Sequence, residues 1–217
     1  MIAVLASRLD QEATALVAAW SAAGAALLSA EDLCSPGWIF DPGDPAAGTA
    51  VVAGQAVPVA SLRAVLTRRP AVVAEELGAI AAADRSYVAA ELNAFMVGWL
   101  SALPCRVVNR PTTRSLCGPA WNRLQWQAAA ARAGVAWCDD PPDDPAALHT
   151  VVVCGDIVRC APDADAADAA CRLARHAGVE LLAVQMFGGG VCGVSVAPDL
   201  RDDTTQAVLL DALRRPR

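Results

Sequence analysis

The sequence contains no lysine: its 17 positive side chains are all arginine. Mechanisms that depend on a lysine amine, from Schiff-base chemistry to a lysine gripping a nucleotide phosphate, are therefore excluded for this chain alone. Aromatic residues make up 5% of the 217 positions, with a single Tyr, and there are only two His. His149 and His176 stand in no ligand-like spacing, and none of the eight cysteines forms a CxxC or CxH pair. Neither a zinc site nor a disulfide framework is indicated, and burial as small hydrophobes is the expected state of the thiols. No basic stripe offsets the net charge of −6, which argues against nucleic acid as a partner. Long apolar runs are missing too. Hydrophobic residues reach 55% and mean hydropathy is +0.38, yet the most apolar segment, Leu92 to Leu103, falls short of the ~20 residues of a bilayer span. Met1 leads directly into Ile-Ala-Val-Leu-Ala without the basic region of a secretory signal. A cytoplasmic protein with no membrane partner is the expectation.

What is present is periodicity. Met1–Ala6 reads as a buried strand, Gln11–Ala23 as an amphipathic helix capped by Asp10 and closed at Gly24, and Ala25–Ser29 as a second strand. A β-α-β opening implies a parallel, Rossmann-like sheet. Ser7-Arg8-Leu9-Asp10 stands where a dinucleotide fold carries its glycines, so NAD or FAD binding by that route is not expected. Thr49–Val52 and Ala56–Val59 flank Gly54-Gln55 as a hairpin, and Ala64–Thr67 is a further strand. Helix is expected over Val72–Ala81 and again over Arg85–Leu103 behind an Asp84 cap. Arg106–Asn109 reads as strand, Pro119–Ala133 as helix, and Val135–Cys138 as a short strand.

Asp139–Pro145, Asp-Asp-Pro-Pro-Asp-Asp-Pro, is the clearest linker. Beyond it the pattern becomes ββαββα. Thr150–Val153 and Ile157–Cys160 turn at Gly155-Asp156, and Asp163–Ala177 is a helix. Leu181–Phe187 and Val191–Val196 flank Gly188-Gly189-Gly190, a hairpin turn rather than a phosphate loop because no helix follows it, and Asp202–Arg214 closes the chain. The partition expected from this pattern is an α/β domain over 1–138, a linker over 139–149 and an α+β antiparallel unit over 150–217.

Three segments fall in order at the front: Thr67-Arg68-Arg69-Pro70, then Asp84-Arg85-Ser86-Tyr87 with Glu91, then Pro104-Cys105-Arg106-Val107-Val108-Asn109-Arg110-Pro111. Together they resemble the N-terminal domain of ATP-grasp carboxylate–amine ligases, closest to the microviridin or graspetide maturases that modify ribosomally made peptides. At the back, Thr150–Asp156, Ala170–Val179 and Val191–Pro198 are similar to the family's closing strands and helix. The resemblance implies ATP and magnesium as cofactors, a peptide substrate, and a pathway of peptide modification. It also makes the gaps visible. About 15 residues separate Val135 from Thr150, too few for the family's central lid, and that lid supplies its phosphate-binding lysines. The family's metal-binding Glu-x-Asn is replaced by Ser195-Val196-Ala197, and its earlier acidic residue by Ala183-Val184-Gln185. The chain thus looks like a truncated, degenerate member, whose ATP and magnesium ligands are lost.

Candidate binding residues follow from the same segments. Asp84, Arg85, Tyr87 and Glu91 share a helix start, with Tyr87 and Glu91 one turn apart. They form either a polar patch in a cleft or a solvated helix face. Arg68, Arg69, Asn109, Arg110 and Arg114 gather at expected strand C-termini, where a parallel sheet collects ligands. They either bind a carboxylate, phosphate or acidic peptide, or pair with Glu75, Glu76 and Glu91 as structural bridges. The expected function is a non-catalytic protein that binds a peptide or a partner ligase and self-associates, as a homodimer, through sheet surface that the missing lid leaves bare. The alternatives are one subunit of a split ligase completed by another chain, or an enzyme repurposed around Cys105 or Cys117 as nucleophile.

Overall fold

The computed structural model describes residues 1–215. Two compact units cover Met1–Gly118 together with the chain end from Leu213, and Pro119–Ala212. The first is α/β. Strands β1 (Ile2–Leu5) and β2 (Ala25–Leu28) are joined by helix α1 (Gln11–Ala19), which Asp10 caps by accepting from the Ala13 N–H at 2.9 Å. A short 3-10 turn over Ser21–Ala23 ends at left-handed Gly24 (φ 73°), where the chain reverses into β2. Helix α2 (Ala30–Leu33), strands β3 (Thr49–Val52), β4 (Gln55–Pro58) and β5 (Ala64–Thr67), helix α3 (Arg85–Ala102) and strand β6 (Arg106–Val108) follow. The main sheet is parallel throughout, in the order β2-β1-β5-β6, with β3 and β4 as a separate hairpin.

Composition explains the sheet. A central parallel strand is covered on both faces, so it reads as an unbroken apolar run rather than an alternating one. Ala3, Val4, Leu5, Val65 and Leu66 are each fully buried. On one side lie Met96, Trp99 and Leu100 of α3, spaced to face the sheet, with Trp38 edge-on to both Trp99 and Phe95.

The second unit begins with helix α4 (Arg123–Arg132), whose Asn122 and Gln125 form a reciprocal capping box. Strands β7 (His149–Cys154) and β8 (Ile157–Arg159), helix α5 (Ala164–Ala177), strands β9 (Leu181–Phe187) and β10 (Gly190–Ser195) and helix α6 (Asp203–Arg214) complete it. The sheet is antiparallel, in the order β10-β9-β7-β8. Helix α5 buries Ala166, Ala169, Ala170, Leu173 and Ala174 against Val151, Val153, Leu182 and Val184. Its small residues bring the helix close to the sheet, and Gly178 (φ 66°) ends it.

The structure corrects three local expectations. Val72–Ala81 is not a helix; only a 3-10 turn forms at Ala74–Glu76. Val73 is extended, and the Asn93 side chain occupies both the N–H and the C=O of Val72, which cannot then join a helical ladder. Val135–Cys138 is not a strand but a single bridge from Trp137 to Val191. The helix expected from Pro119 starts at Arg123, because Asn122 is the residue whose side chain satisfies its first turn. In the antiparallel sheet Val151 and Val153 are buried on one face, and Val152, Cys154, Leu181 and Ala183 on the other are at most 6% exposed, whereas β8 and most of β10 are half-exposed.

Candidate functional site

The parallel sheet sends its strand C-termini to one edge, and the candidate residues can be followed there one by one. Arg68 continues β5 and turns back: its side chain is 7% exposed, with Nε 3.3 Å from Asp10 and Nη2 2.9 Å from Glu12. Arg69 donates from Nε to the Ala71 carbonyl at 2.9 Å and forms a buried ion pair with Glu76. Burial alone would raise the Glu76 carboxyl. Hydrogen bonds from Ser7 and Arg69, with the charge of Arg69, outweigh it and hold the group below its ordinary value. Asn109 is buried, and its carbonyl accepts the Thr67 hydroxyl at 2.8 Å. Arg110 reaches the C-terminal end of α3, donating to the Ser101 carbonyl at 3.0 Å. A cation at a helix C-terminus satisfies carbonyls that have no partner in the ladder.

The structure therefore separates the nine candidates. Arg68, Arg69, Asn109 and Arg110 are occupied by the fold, and of the expected carboxylate partners only Glu76 takes one. Arg85 props the preceding turn by donating to the Ile80 carbonyl at 2.9 Å. Asp84 begins α3 without a side-chain cap, and Tyr87 and Glu91 are exposed. Arg114 stands apart: it is exposed and lines a groove.

That groove has a volume of about 560 Å³. Ala90, Ala94 and Val97, spaced i, i+4 and i+7 on α3, form one side, and Pro70, Ala71 and Leu116 contribute the other. The non-helical side is tied down twice. Leu116 N–H donates to the Pro70 carbonyl at 2.8 Å, and Asn93 clamps Val72 with two bonds of 2.9 Å. A mostly apolar, preformed cleft with one charged group is the usual form of a binding site. Sequence reasoning missed it, apart from Arg114, because small residues on a helix carry no chemical signal until a second segment packs beside them. Asn93 was equally silent.

The thiols proposed as nucleophiles are poorly suited. Burial pushes both Cys105 and Cys117 up, and the opposing hydrogen bond from Ser115 and charge of Arg68 do not restore Cys117. An activated cysteine needs the opposite shift. Ser195 and Gln185, which the resemblance sets on the family's metal-bearing strands, carry no acid here: Ser195 is exposed and its hydroxyl donates to the Ala197 carbonyl at 3.1 Å, while Gln185 supplies an amide. Neither side chain is a carboxylate, the ligand class that magnesium prefers. Among the described residues no group of three or more His, Cys, Asp or Glu could hold a metal ion, and no helix is long and apolar enough to cross a membrane.

Neither a family model nor a curated protein sequence matches the chain. Solved structures do. The chain is similar to the macrocyclase MdnC of Microcystis aeruginosa MRC bound with precursor peptide MdnA, at TM-score 0.69 and 9% identity over 99% of this chain and 100% of that one. It is similar to the ATP-grasp ligase PsnB complexed with minimal precursor, at TM-score 0.67 and 14% identity over 98% and 97% of the two chains. It is also similar to a RiPP-associated ATP-grasp ligase of Chryseobacterium gregarium in complex with ADP and a leader and core peptide, at TM-score 0.64 and 11% identity over 100% and 97%. At these identities the likeness is one of architecture, and the architecture of this chain is that of the ATP-grasp ligases.

Proposed function

We propose that this chain is a non-catalytic ATP-grasp-fold protein that binds a peptide, or the ligase acting on that peptide, in a peptide-modification pathway. The observation that carries the proposal is the fold it shares with ligases crystallised with precursor peptides. A protein of that fold without the chemical groups of the ligase reaction retains the capacity to bind. Phosphoryl transfer rests on charge neutralisation by metal and cationic side chains. The chain has no lysine, and Ser195-Val196-Ala197 stands where a magnesium carboxylate is expected. The α3 groove is the place we assign to the peptide: apolar side chains would fill it, and an acidic residue would meet Arg114.

Calorimetric titration with ATP and magnesium tests the non-catalytic part directly. No measurable heat is the expected result; magnesium-dependent binding in the micromolar range overturns it.

A further inference from the structure

The bridge between Trp137 and Val191 brings two cysteines together. Val191 N–H donates to the Ala136 carbonyl at 2.9 Å, and Cys138 N–H donates to the Val191 carbonyl at 2.8 Å. In this parallel register Cys138 and Cys192 directly follow the bridged residues Trp137 and Val191 on the two adjacent segments, so they lie side by side, and the Cys138 thiol acts on Cys192 electrostatically. Neighbouring strands lie about 4.8 Å apart, inside the Cα separation of roughly 4.4–6.8 Å that a disulfide spans.

Two further features favour the approach. Val191 pairs with Met186 and Gly193 with Gln185, so Cys192 is the extra residue of a bulge. A bulge re-aims its side chain away from the alternation of the sheet. Gly190 then leaves room for the neighbour: a Cβ there would lie 3.1 Å from Cys138 N and 3.2 Å from Cys138 Cβ. Both cysteines are half-buried, sheltered but reachable by a small oxidant.

We infer that Cys138 and Cys192 form a redox-modifiable dithiol that closes to an intrachain disulfide when a peroxide reaches it. Burial first, and then the neighbouring Cys138, raise the Cys192 thiol to about 11, so Cys192 stays protonated at neutral pH. In this proposal the first attack is assigned to Cys138. Its sulfur takes one peroxide oxygen, the O–O bond breaks, and a sulfenic acid and one water result. The Cys192 sulfur then attacks the sulfenic sulfur. The S–O bond breaks, the hydroxyl leaves with the Cys192 proton as a second water, and two thiols have been oxidised while one peroxide is reduced. The bridge fastens the start of the acidic segment at Asp139 to β10 across what is otherwise a single rung.

The test uses the full chain and hydrogen peroxide at one equivalent. Thiol titration of the denatured protein should fall from eight to six, and peptide mapping should place the bridge between residues 138 and 192. Dithiothreitol should restore the count, and the oxidised form should melt several degrees higher because the bridge restricts the unfolded chain. Cys138→Ser should retain all its remaining thiols, whereas Cys192→Ser should stop at the Cys138 sulfenic acid and form no intrachain bridge. Mapping of the unmutated protein decides the matter even if a variant fails to fold. An unchanged count of eight, or a bridge mapped to any other pair, including one between molecules through exposed Cys160, overturns the inference.

Discussion

Asn93 and Val72 are joined by a reciprocal pair of hydrogen bonds, each 2.9 Å long: the Asn93 amide accepts from the Val72 N–H and donates to the Val72 carbonyl. This one side chain on α3 holds the segment after β5 in an extended course and fixes one side of the α3 groove.

Asn93→Ala should leave the buried Val72 N–H and C=O without those partners. The expected loss is about 2–3 kcal/mol, read by urea denaturation. Amide exchange at Val72 should accelerate more than exchange in β1. Equal acceleration everywhere would show that Asn93 supports only the global fold.

The Arg69–Glu76 pair sets a pH dependence. The Glu76 carboxyl lies below its ordinary value in the folded state, so the unfolded chain binds the proton more readily. Stability from the pair is present above the ordinary value of 4.5 and is lost as pH falls through the folded-state value. Glu76→Gln should cost about 3 kcal/mol near neutrality by stranding the buried guanidinium. The gap in melting temperature between variant and parent should close on acidification. A constant gap would contradict the assignment.

Alkylation should separate the thiols by burial. Exposed Cys160 should react with iodoacetamide first. Cys117, 3% exposed and with its thiol pushed up, should react only through opening of the fold. Mass spectrometry of timed digests reads the order. Early labelling of Cys117 would revive the repurposed-nucleophile alternative.

The peptide assignment can be tested without knowing the peptide. Selection from a displayed random library should enrich apolar sequences carrying an acidic residue. Ala94→Arg fills the groove from an exposed helix position, so stability should change by no more than about 0.5 kcal/mol, while the enriched peptides should no longer bind. Arg114→Glu should weaken them and shift the selection toward basic residues. Binding unaffected by both variants would move the peptide elsewhere.

Much of the fold was legible along the chain. The β-α-β opening over Met1–Ser29 announced a parallel sheet, and the helix read over Asp163–Ala177 is α5. The errors arose where distant side chains took over backbone groups. Val72–Ala81 carries helix-compatible residues, but Asn93, 21 positions away, removes Val72 from any ladder. The arginine cluster was placed at the correct edge of the sheet, yet sequence could not assign partners. Asp10 and Glu12, 58 and 56 positions from Arg68, bond to it only because β1 and β5 lie side by side.

By itself the sequence determined most of the order of elements, the parallel and antiparallel halves, and the absence of lysine. These are properties of local pattern and of residue chemistry, which no folding alters. Tertiary structure alone decided that Arg68, Arg69, Arg85 and Arg110 are struts and that Arg114 lines a groove. It also decided that Val151 to Cys154 are buried in the antiparallel sheet and that Trp137, just before Cys138, bridges to Val191. Those outcomes depend on which segments pack together, and packing is settled by burial and hydrogen bonding across long separations in the chain rather than by neighbours along it.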